Sequence, residues 1–297
     1  MISRTNYTIQ RAKAADRRSP FAGDRHFVTA LYRGLEILRC YRPGDGALGN
    51  QELAKRSGLP KATVSRLTYT LSKVGYLVYV SIEAKYRIGV PVLGLGYACL
   101  GGMKIREVMQ PHLQKLADYA GNGALIALGA RDDLTVTYIA CARSAGVISL
   151  QLNVGSRISL ARSSIGRAYL AATGDDEREE LMDRLREHYG ERWPAIRKGI
   201  SRSIQEIRSQ GFCVNTGDWH PHINAVAVPF RLALPDAPVF AIVCGGPSHI
   251  LGAERLRKSI GPRLLAMVNN VASCADVDLT LQSRRPDRGA MIKKQRR

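Results

Sequence analysis

The stretch "LPKATVSRLTYTLSKVGYL", residues 59–77, has the periodicity of a helix and a basic outer face. Its apolar residues recur at spacings of three and four: Val64, Leu67, Leu71 and Val74. This spacing predicts a helix with one buried face. The opposite face carries a different set of side chains: Lys61, Ala62, Ser65, Arg66, Tyr69 and Lys73. The stretch contains no acidic residue, so we expect the negative charge that pairs with this face to come from outside the chain.

Two shorter helices are predicted before this one. Apolar residues return at helical spacing between Phe27 and Cys40, and the Pro- and Gly-rich stretch that follows ends that helix. In "NQELAKRSG", residues 50–58, Asn50 is the predicted N-cap of a second helix and Gly58 marks its end. Pro60 then opens the third helix, because the missing N–H of proline costs nothing in a first helical turn.

A β-hairpin is predicted directly after the third helix. The stretch "YLVYVSIEAKYRIG", residues 76–89, alternates like a pair of strands around a turn at Glu83, Ala84 and Lys85. Two helices joined by a short turn, the second one basic, and then a hairpin predict a winged helix-turn-helix that binds DNA. We expect the third helix to contact the major groove with one set of residues: Lys61, Ala62, Thr63, Ser65 and Arg66. Lys85 and Arg87 of the wing are expected on the adjacent backbone.

Positive charge is concentrated at the two ends of the chain. Of the formal net charge of +19, residues 1–90 contribute 16 basic and 6 acidic side chains, and residues 284–297 contribute 7 and 1. The remaining residues, 91–283, are nearly balanced, with 21 basic and 18 acidic side chains. A generally basic protein would spread the excess evenly, so this distribution favours a polyanion-binding module joined to a body with another role.

Length and composition predict a two-domain, soluble, cytoplasmic protein. The 297 residues exceed the usual size of one domain, and no apolar run is long enough to cross a membrane. The first 20 residues lack the apolar core of a signal peptide. Six cysteines are scattered without close pairs and are interpreted as reduced thiols: Cys40, Cys99, Cys141, Cys213, Cys244 and Cys274.

An α+β domain is predicted after the hairpin. Residues 91–121 predict two helices with a boundary near Gly101 and Gly102. Short strands are then predicted at residues 123–130, 135–142, 147–152, 212–216, 223–230 and 238–246, with helices at 164–173, 175–189, 196–210 and 253–274. The predicted organisation is a disordered basic arm (1–24), a winged helix-turn-helix (25–90), a linker helix (91–105), the α+β domain (106–278) and a disordered basic tail (279–297).

No constellation of catalytic residues is visible, and no cofactor is expected. The stretch "GLGYACLGG", residues 94–102, has Cys99 where a dinucleotide loop needs its third glycine. A metal site is one interpretation of the zinc-type ligands Cys213, Asp218, His220 and His222, and a polar loop without metal is the favoured alternative. Ser163 and Ser164 stand at a predicted helix start, where they cap the helix and could in addition hold a carboxylate.

The sequence resembles the isocitrate lyase regulator (IclR) family of bacterial transcription factors. In the N-terminal part the resemblance is carried by "RGLEILRC" (33–40), "QELAKRSGLPKATVSRLTYTLSKVGYL" (51–77) and "YRIGVPVLGLG" (86–96). In the C-terminal part it is carried by "VGSRISLARSSIGRAYLAA" (154–172), "INAVAVPF" (223–230) and "CGGP" (244–247). The family implies an effector domain with a curved antiparallel sheet flanked by helices. It also implies a homodimer or homotetramer that binds a palindromic operator on double-stranded DNA.

The resemblance also implies a pocket for a small organic effector, often a carboxylate. Carried over to this chain, the pocket comprises Leu150, Ser163, Ser164, Ile165, Asn215, Asp218, Ala225, Val243 and Gly245. Ile165 and Val243 stand where many members have small or hydroxyl residues, which favours a tighter, more apolar pocket.

We therefore interpret the chain as a DNA-binding regulator, not an enzyme, controlled by a small organic or aromatic acid. Two alternatives are a small-molecule enzyme with an accessory nucleic-acid module and an architectural DNA protein without effector.

Overall fold

The computed structural model describes residues 24–146, 150–231 and 237–273. The predicted basic tail, and the predicted arm apart from Asp24, lie outside these ranges. The chain divides into two compact units, one that comprises the residues up to Cys99 with Glu187–Gly190 and one that comprises the other residues from Leu100 onward. Among the described residues, no helix is long and apolar enough to cross a membrane.

The first unit is a helix-turn-helix followed by a β-hairpin, which confirms the predicted winged fold. Its elements are α1 (Thr29–Arg39), α2 (Asn50–Ser57), α3 (Lys61–Lys73), β1 (Leu77–Val80), β2 (Lys85–Ile88) and most of α4 (Val90–Gly101). The two strands are antiparallel, with Val80 opposite Lys85. One small core joins the helices to the hairpin through Ile37, Leu53, Val64 and Leu77.

Two glycines are required by the backbone of this unit. Gly58, between α2 and α3, has a φ of +74°, a left-handed conformation that side chains with a Cβ rarely adopt. At Gly89, which follows β2, an added Cβ would lie 1.9 Å from the carbonyl oxygen of Gly75. The end of the hairpin therefore packs against the end of α3 only because this position has no side chain.

On α3 and α1, some of the buried residues differ from those that the apolar spacing predicts. The prediction that Val74 is buried is wrong: α3 ends at Lys73, and Val74 is 57% exposed. Thr68 is fully buried instead, and its hydroxyl donates to the carbonyl oxygen of Val64 at 3.0 Å, which satisfies the polar group. In α1, Leu31 is 63% exposed while Ile37 is buried, because the helix turns its other face toward α3.

The second unit is built on a curled, six-stranded antiparallel sheet, as expected. Its strands are β3 (Leu125–Asp132), β4 (Thr135–Arg143), β5 (Arg157–Ser159), β6 (Cys213–Thr216), β7 (Ile223–Phe230) and β8 (Phe240–Pro247). Their spatial order is β5-β4-β3-β8-β7-β6. The helices are α5 (Lys104–Ala120), α6 (Ser164–Ala172), α7 (Asp175–Tyr189), α8 (Trp193–Gln210), the short α9 (Ala253–Arg255) with a π-helical turn (Leu256–Ile260), and α10 (Gly261–Ser273).

Alternation along the strands gives the sheet two different faces. Ile126 and Ile242 point to the main core, where they pack with residues of α5 and α10 such as Leu113 and Leu264. Residues next to them in sequence, such as Leu125 and Val243, point to the other face and line a cavity. Helix α6 packs on this second face, against β7 and β8, so the cavity lies beside the start of α6.

Two predicted segments of this region differ from the structure. The predicted strand at 147–152 begins outside the described residues, and residues 150–152 are not in a strand. The sheet edge is formed by β5, whose three residues are too few to show an alternating pattern. The predicted linker helix, 91–105, is divided, because α4 ends at Gly101 and α5 begins at Lys104. The paired glycines at this break disfavour a continuous helix.

Candidate functional site

The outer face of α3 presents unpaired cations to solvent. Lys61, Ala62, Ser65 and Arg66 are exposed, and Thr63 is half-buried. Within the described part of the chain, neither Lys61 nor Arg66 forms an ion pair or a side-chain hydrogen bond. The helix therefore keeps its positive charge available to an anion such as a DNA phosphate.

Asn50 joins α2 to α3 through side-chain hydrogen bonds and does not act as the predicted N-cap. The residue before the helix is Gly49, and no side chain caps this helix start. The Asn50 amide instead donates from Nδ2 to Ser65 Oγ at 3.1 Å, and its Oδ1 lies 3.2 Å from Thr68 Oγ1, whose one O–H is shared with the carbonyl oxygen of Val64. Ser65 thus accepts a bond from α2, and its own O–H stays free to donate outward.

The two predicted wing cations differ in whether a carboxylate lies beside them. Lys85 Nζ lies 3.0 Å from Glu83 Oε2, so an adjacent carboxylate offsets its charge. Arg87 is exposed and has no ion-pair partner among the described residues. At the turn between the strands, Ile82 is almost fully exposed.

A cavity in the second unit brings together eight of the nine residues predicted for the effector pocket. These eight are Leu150, Ser163, Ser164, Ile165, Asn215, Ala225, Val243 and Gly245. The cavity volume is about 30 Å³, and the space between its lining residues, including the part that opens to solvent, totals about 400 Å³. The remaining lining residues, which were not predicted, are Leu125, Tyr138, Leu152, Ile158, Trp219 and Ile223. Tyr138 could have been found from the alternation of β4, which turns every second side chain to this face.

Two of the polar lining residues are engaged in holding the cavity together. Ser163 Oγ accepts from Gly166 N at 3.1 Å and donates to Ser159 O at 2.6 Å, which confirms its predicted role as the cap of α6. Asn215 Nδ2 donates to Arg162 O at 2.7 Å, and its Oδ1 accepts from Asp218 N at 3.1 Å. Ser164 differs from both, since its side chain has no hydrogen-bond partner among the described residues.

Asp218 does not line the cavity, contrary to the prediction. Its carboxylate oxygen Oδ2 lies 2.7 Å from Nη1 of Arg167 and 3.1 Å from Nη2 of Arg202. These ion pairs hold the carboxylate away from the cavity, and the neighbouring Trp219 contributes to the wall instead. Arg162 adds a third guanidinium, which donates to the backbone carbonyl oxygen of Asp218 at 2.9 Å.

The structure does not assemble the possible metal ligands. Among the described residues, no group of three or more His, Cys, Asp or Glu side chains is placed to hold a metal ion. Cys213 is fully buried, and its thiol donates to the carbonyl oxygen of Ser164 at 3.6 Å. Burial raises the pKa of Cys213 to about 12, which keeps the thiol protonated and a poor metal ligand. His220 and His222 lie outside the strands, with ring centroids 5.9 Å apart.

Two family models match the two units. The model described as "IclR helix-turn-helix domain" matches residues 30–81, and the model described as "Bacterial transcriptional regulator IclR C-terminal" matches residues 97–273. The chain is 33% identical over 246 residues to the HTH-type transcriptional regulator TsaQ1/TsaQ2 of Comamonas testosteroni, covering 82% of this chain and 87% of that protein. It is 32% identical over 222 residues to the Pca regulon regulatory protein of Pseudomonas putida, covering 73% and 74%.

A solved structure agrees with these sequence comparisons. The crystal structure of an IclR family transcriptional regulator from Brucella abortus superimposes with a TM-score of 0.77 at 45% sequence identity, covering 86% of this chain and 96% of that one. The relatives described above are both named as regulators. The chain belongs to the IclR family of transcriptional regulators, with a helix-turn-helix DNA-binding domain and a C-terminal effector-binding domain.

Proposed function

We propose that the chain binds a palindromic operator through α3 and the wing, and that a small organic acid bound in the cavity changes this binding. The observation that carries the proposal is the cavity beside α6, where apolar side chains surround a free serine hydroxyl at a helix N-terminus. The family's DNA-binding domain supplies the other half of the function. The proposed domains are residues 25–90 for DNA and 106–278 for the effector, in a protein of the bacterial cytoplasm.

The proposed DNA contacts follow from exposure and charge. Lys61 and Arg66 are the cations of the α3 surface, where Ala62, Thr63 and Ser65 are small enough to allow close approach to the groove. On the wing, Arg87 binds a phosphate more strongly than Lys85, because Glu83 offsets the charge of Lys85.

The proposed effector is a small acid with an apolar body. None of the described residues that line the cavity is charged, so a carboxylate would find its donors at the start of α6. There the first backbone N–H groups have no partner within the helix, and the helix dipole favours an anion by about 0.3–1 kcal/mol. Leu150, Ile165, Ala225 and Val243 form an apolar wall for the rest of the molecule, which fits an aromatic or aliphatic acid better than a sugar.

We further propose that the protein is a homodimer. Two helices of the first unit carry exposed apolar side chains: Leu31 and Leu35 on α1, with Val28 directly before it, and Val90, Leu93 and Tyr97 on α4. Apolar stripes of this kind are costly in water and are covered in oligomers. A symmetric dimer presents two copies of α3 to the two halves of a palindromic operator. Sedimentation of the wild type and of a Leu31→Glu, Leu93→Glu double variant tests this, since a dimeric double variant would overturn it.

A footprint followed by a ligand titration tests the function as a whole. Genome-wide footprinting first identifies the operator, and a palindromic site near genes for acid metabolism is expected. Operator affinity is then measured with and without the acids that those genes process. A change in affinity of tenfold or more supports the proposal, whereas unchanged affinity with every acid, or catalytic conversion of one of them by the protein, contradicts it.

A further inference from the structure

Tyr138 is a polar residue held at a fixed place in the apolar part of the cavity. It lies on β4, on the sheet face that lines the cavity, and it is 4% exposed. Its backbone is fixed on both sides, because Tyr138 N donates to Ser156 O at 3.0 Å and Tyr138 O accepts from Gly155 N at 2.8 Å. The backbone therefore holds Tyr138 in place on the sheet face that lines the cavity.

The hydroxyl of Tyr138 has no hydrogen-bond partner among the described residues. Tyr138 is not among the described residues whose side-chain polar atoms are both fully buried and unpartnered, so its hydroxyl reaches the open space of the cavity, where a ligand can bond to it. Burial also raises the pKa of Tyr138, which keeps the phenol protonated and able both to donate and to accept. Ser163 and Asn215 already use polar atoms to hold the cavity wall, whereas Tyr138 commits its hydroxyl to no described residue.

Two free hydroxyls thus remain in the lining, and they lie on different elements. Ser164 stands at the start of α6 and Tyr138 on β4. Building on the function proposed above, we propose that Tyr138 selects effectors that carry a second oxygen, a hydroxyl or a carbonyl, remote from their carboxylate. The carboxylate binds at Ser164, and the second oxygen exchanges a hydrogen bond with Tyr138. The effector class is then a hydroxy or oxo acid with an apolar body.

The test compares benzoate with ortho, meta and para hydroxybenzoate by calorimetry on full-length protein. In the wild type, at least one hydroxybenzoate is expected to bind about tenfold more tightly than benzoate, the gain of one buried hydrogen bond. Tyr138→Phe removes only the oxygen, and it should bring that ratio to about one without changing the affinity for benzoate. Ser164→Ala is the matched control, because it should weaken all four acids by a similar factor and keep the ratio.

Other outcomes overturn the assignment in distinguishable ways. If the acids bind and Tyr138→Phe leaves the ratio unchanged, or weakens benzoate equally, Tyr138 has only a structural role and the proposed effector cavity survives. If none of the four acids binds the wild type, the aromatic-acid effector and the role of Tyr138 are both wrong. The Phe variant should fold, because the hydroxyl it lacks bonds to no described residue, and an unchanged or higher melting temperature verifies this.

Discussion

Nη1 of Arg167 on α6 lies 2.7 Å from Oδ2 of Asp218, in the loop that brings Trp219 to the cavity wall. The guanidinium is buried, and its Nε also donates to the carbonyl oxygen of Ala161 at 2.9 Å. Arg202 reaches the same carboxylate oxygen from α8 at 3.1 Å but is 55% exposed. One carboxylate therefore joins a buried and an exposed arginine, and the two bonds should differ in strength.

Removing the buried arginine should cost far more stability than removing the exposed one. Arg167→Gln leaves the carboxylate with a single solvent-exposed partner, and we expect it to lower the free energy of unfolding by about 2–4 kcal/mol. Arg202→Gln, the matched control, should cost about 0–1 kcal/mol, because exposed ion pairs are weak. Urea unfolding of both variants measures the difference. Equal losses would show that burial of Arg167 does not strengthen the pair.

Gly199 of α8 leaves the space that the Arg167 guanidinium occupies. An added Cβ would lie 2.5 Å from Nη2 of Arg167, so Gly199→Ala should displace the guanidinium from Asp218. We expect a loss of about 1–3 kcal/mol in the free energy of unfolding despite the better helix propensity of alanine. Gly174→Ala is the control, since an added Cβ there meets nothing within 4 Å. A Gly199→Ala protein as stable as this control would mean that the guanidinium moves aside freely.

Arg66 is the cation of α3 whose loss should affect the operator most. If it binds a guanine edge with both nitrogens, Arg66→Ala should weaken operator binding by about 1–3 kcal/mol and relax specificity at one base pair in each half-site. The fold should persist because Arg66 is exposed. Arg186→Ala removes an exposed cation of the second unit as a control. Fluorescence titrations with operator variants measure both effects, and unchanged affinity excludes Arg66 from the interface.

The N-terminal arm should act through charge. Residues 1–24 contain five basic and two acidic side chains, and arms of this composition neutralise phosphates without reading bases. Deleting them should reduce nonspecific binding more than operator discrimination, and should flatten the dependence of log affinity on log salt. Titrations of operator and random DNA at several salt concentrations check this. Loss of discrimination at an unchanged salt slope would indicate that the arm reads sequence.

Local signals were sufficient to predict the first unit, except for its helix faces. Gly58 and Pro60 indicate the turn between α2 and α3, because the positive φ of a glycine and the missing N–H of a proline are local properties of the backbone. The choice of buried face on α1 depends on the neighbour that packs there, and two faces of that helix have apolar residues at helical spacing. Leu31 is consequently exposed, although its spacing matches that of a core residue.

Contacts between residues far apart in the sequence explain why sequence analysis did not predict the position of Asp218 or of Trp219 at the cavity. Family resemblance named eight residues that line the cavity, and strand alternation alone was enough to find Tyr138. Asp218 is not in the lining, and its carboxylate binds Arg167, which is 51 positions away in the sequence; no local pattern reports such a pair. Trp219, next to Asp218, is a lining residue that the sequence did not indicate.

The adjacent serines at the start of α6 should separate stability from ligand binding. Ser163 caps the helix, so Ser163→Ala should lower the free energy of unfolding by about 1 kcal/mol.

Ser164 makes no such bond, and Ser164→Leu should fill the end of the cavity where the carboxylate is proposed to bind. We expect this variant to bind the operator like the wild type and to lose the effector response, because the two proposed sites lie in separate compact units. Calorimetry with the effector and operator titration measure the two properties, and effector affinity like that of the wild type in Ser164→Leu would place the effector elsewhere.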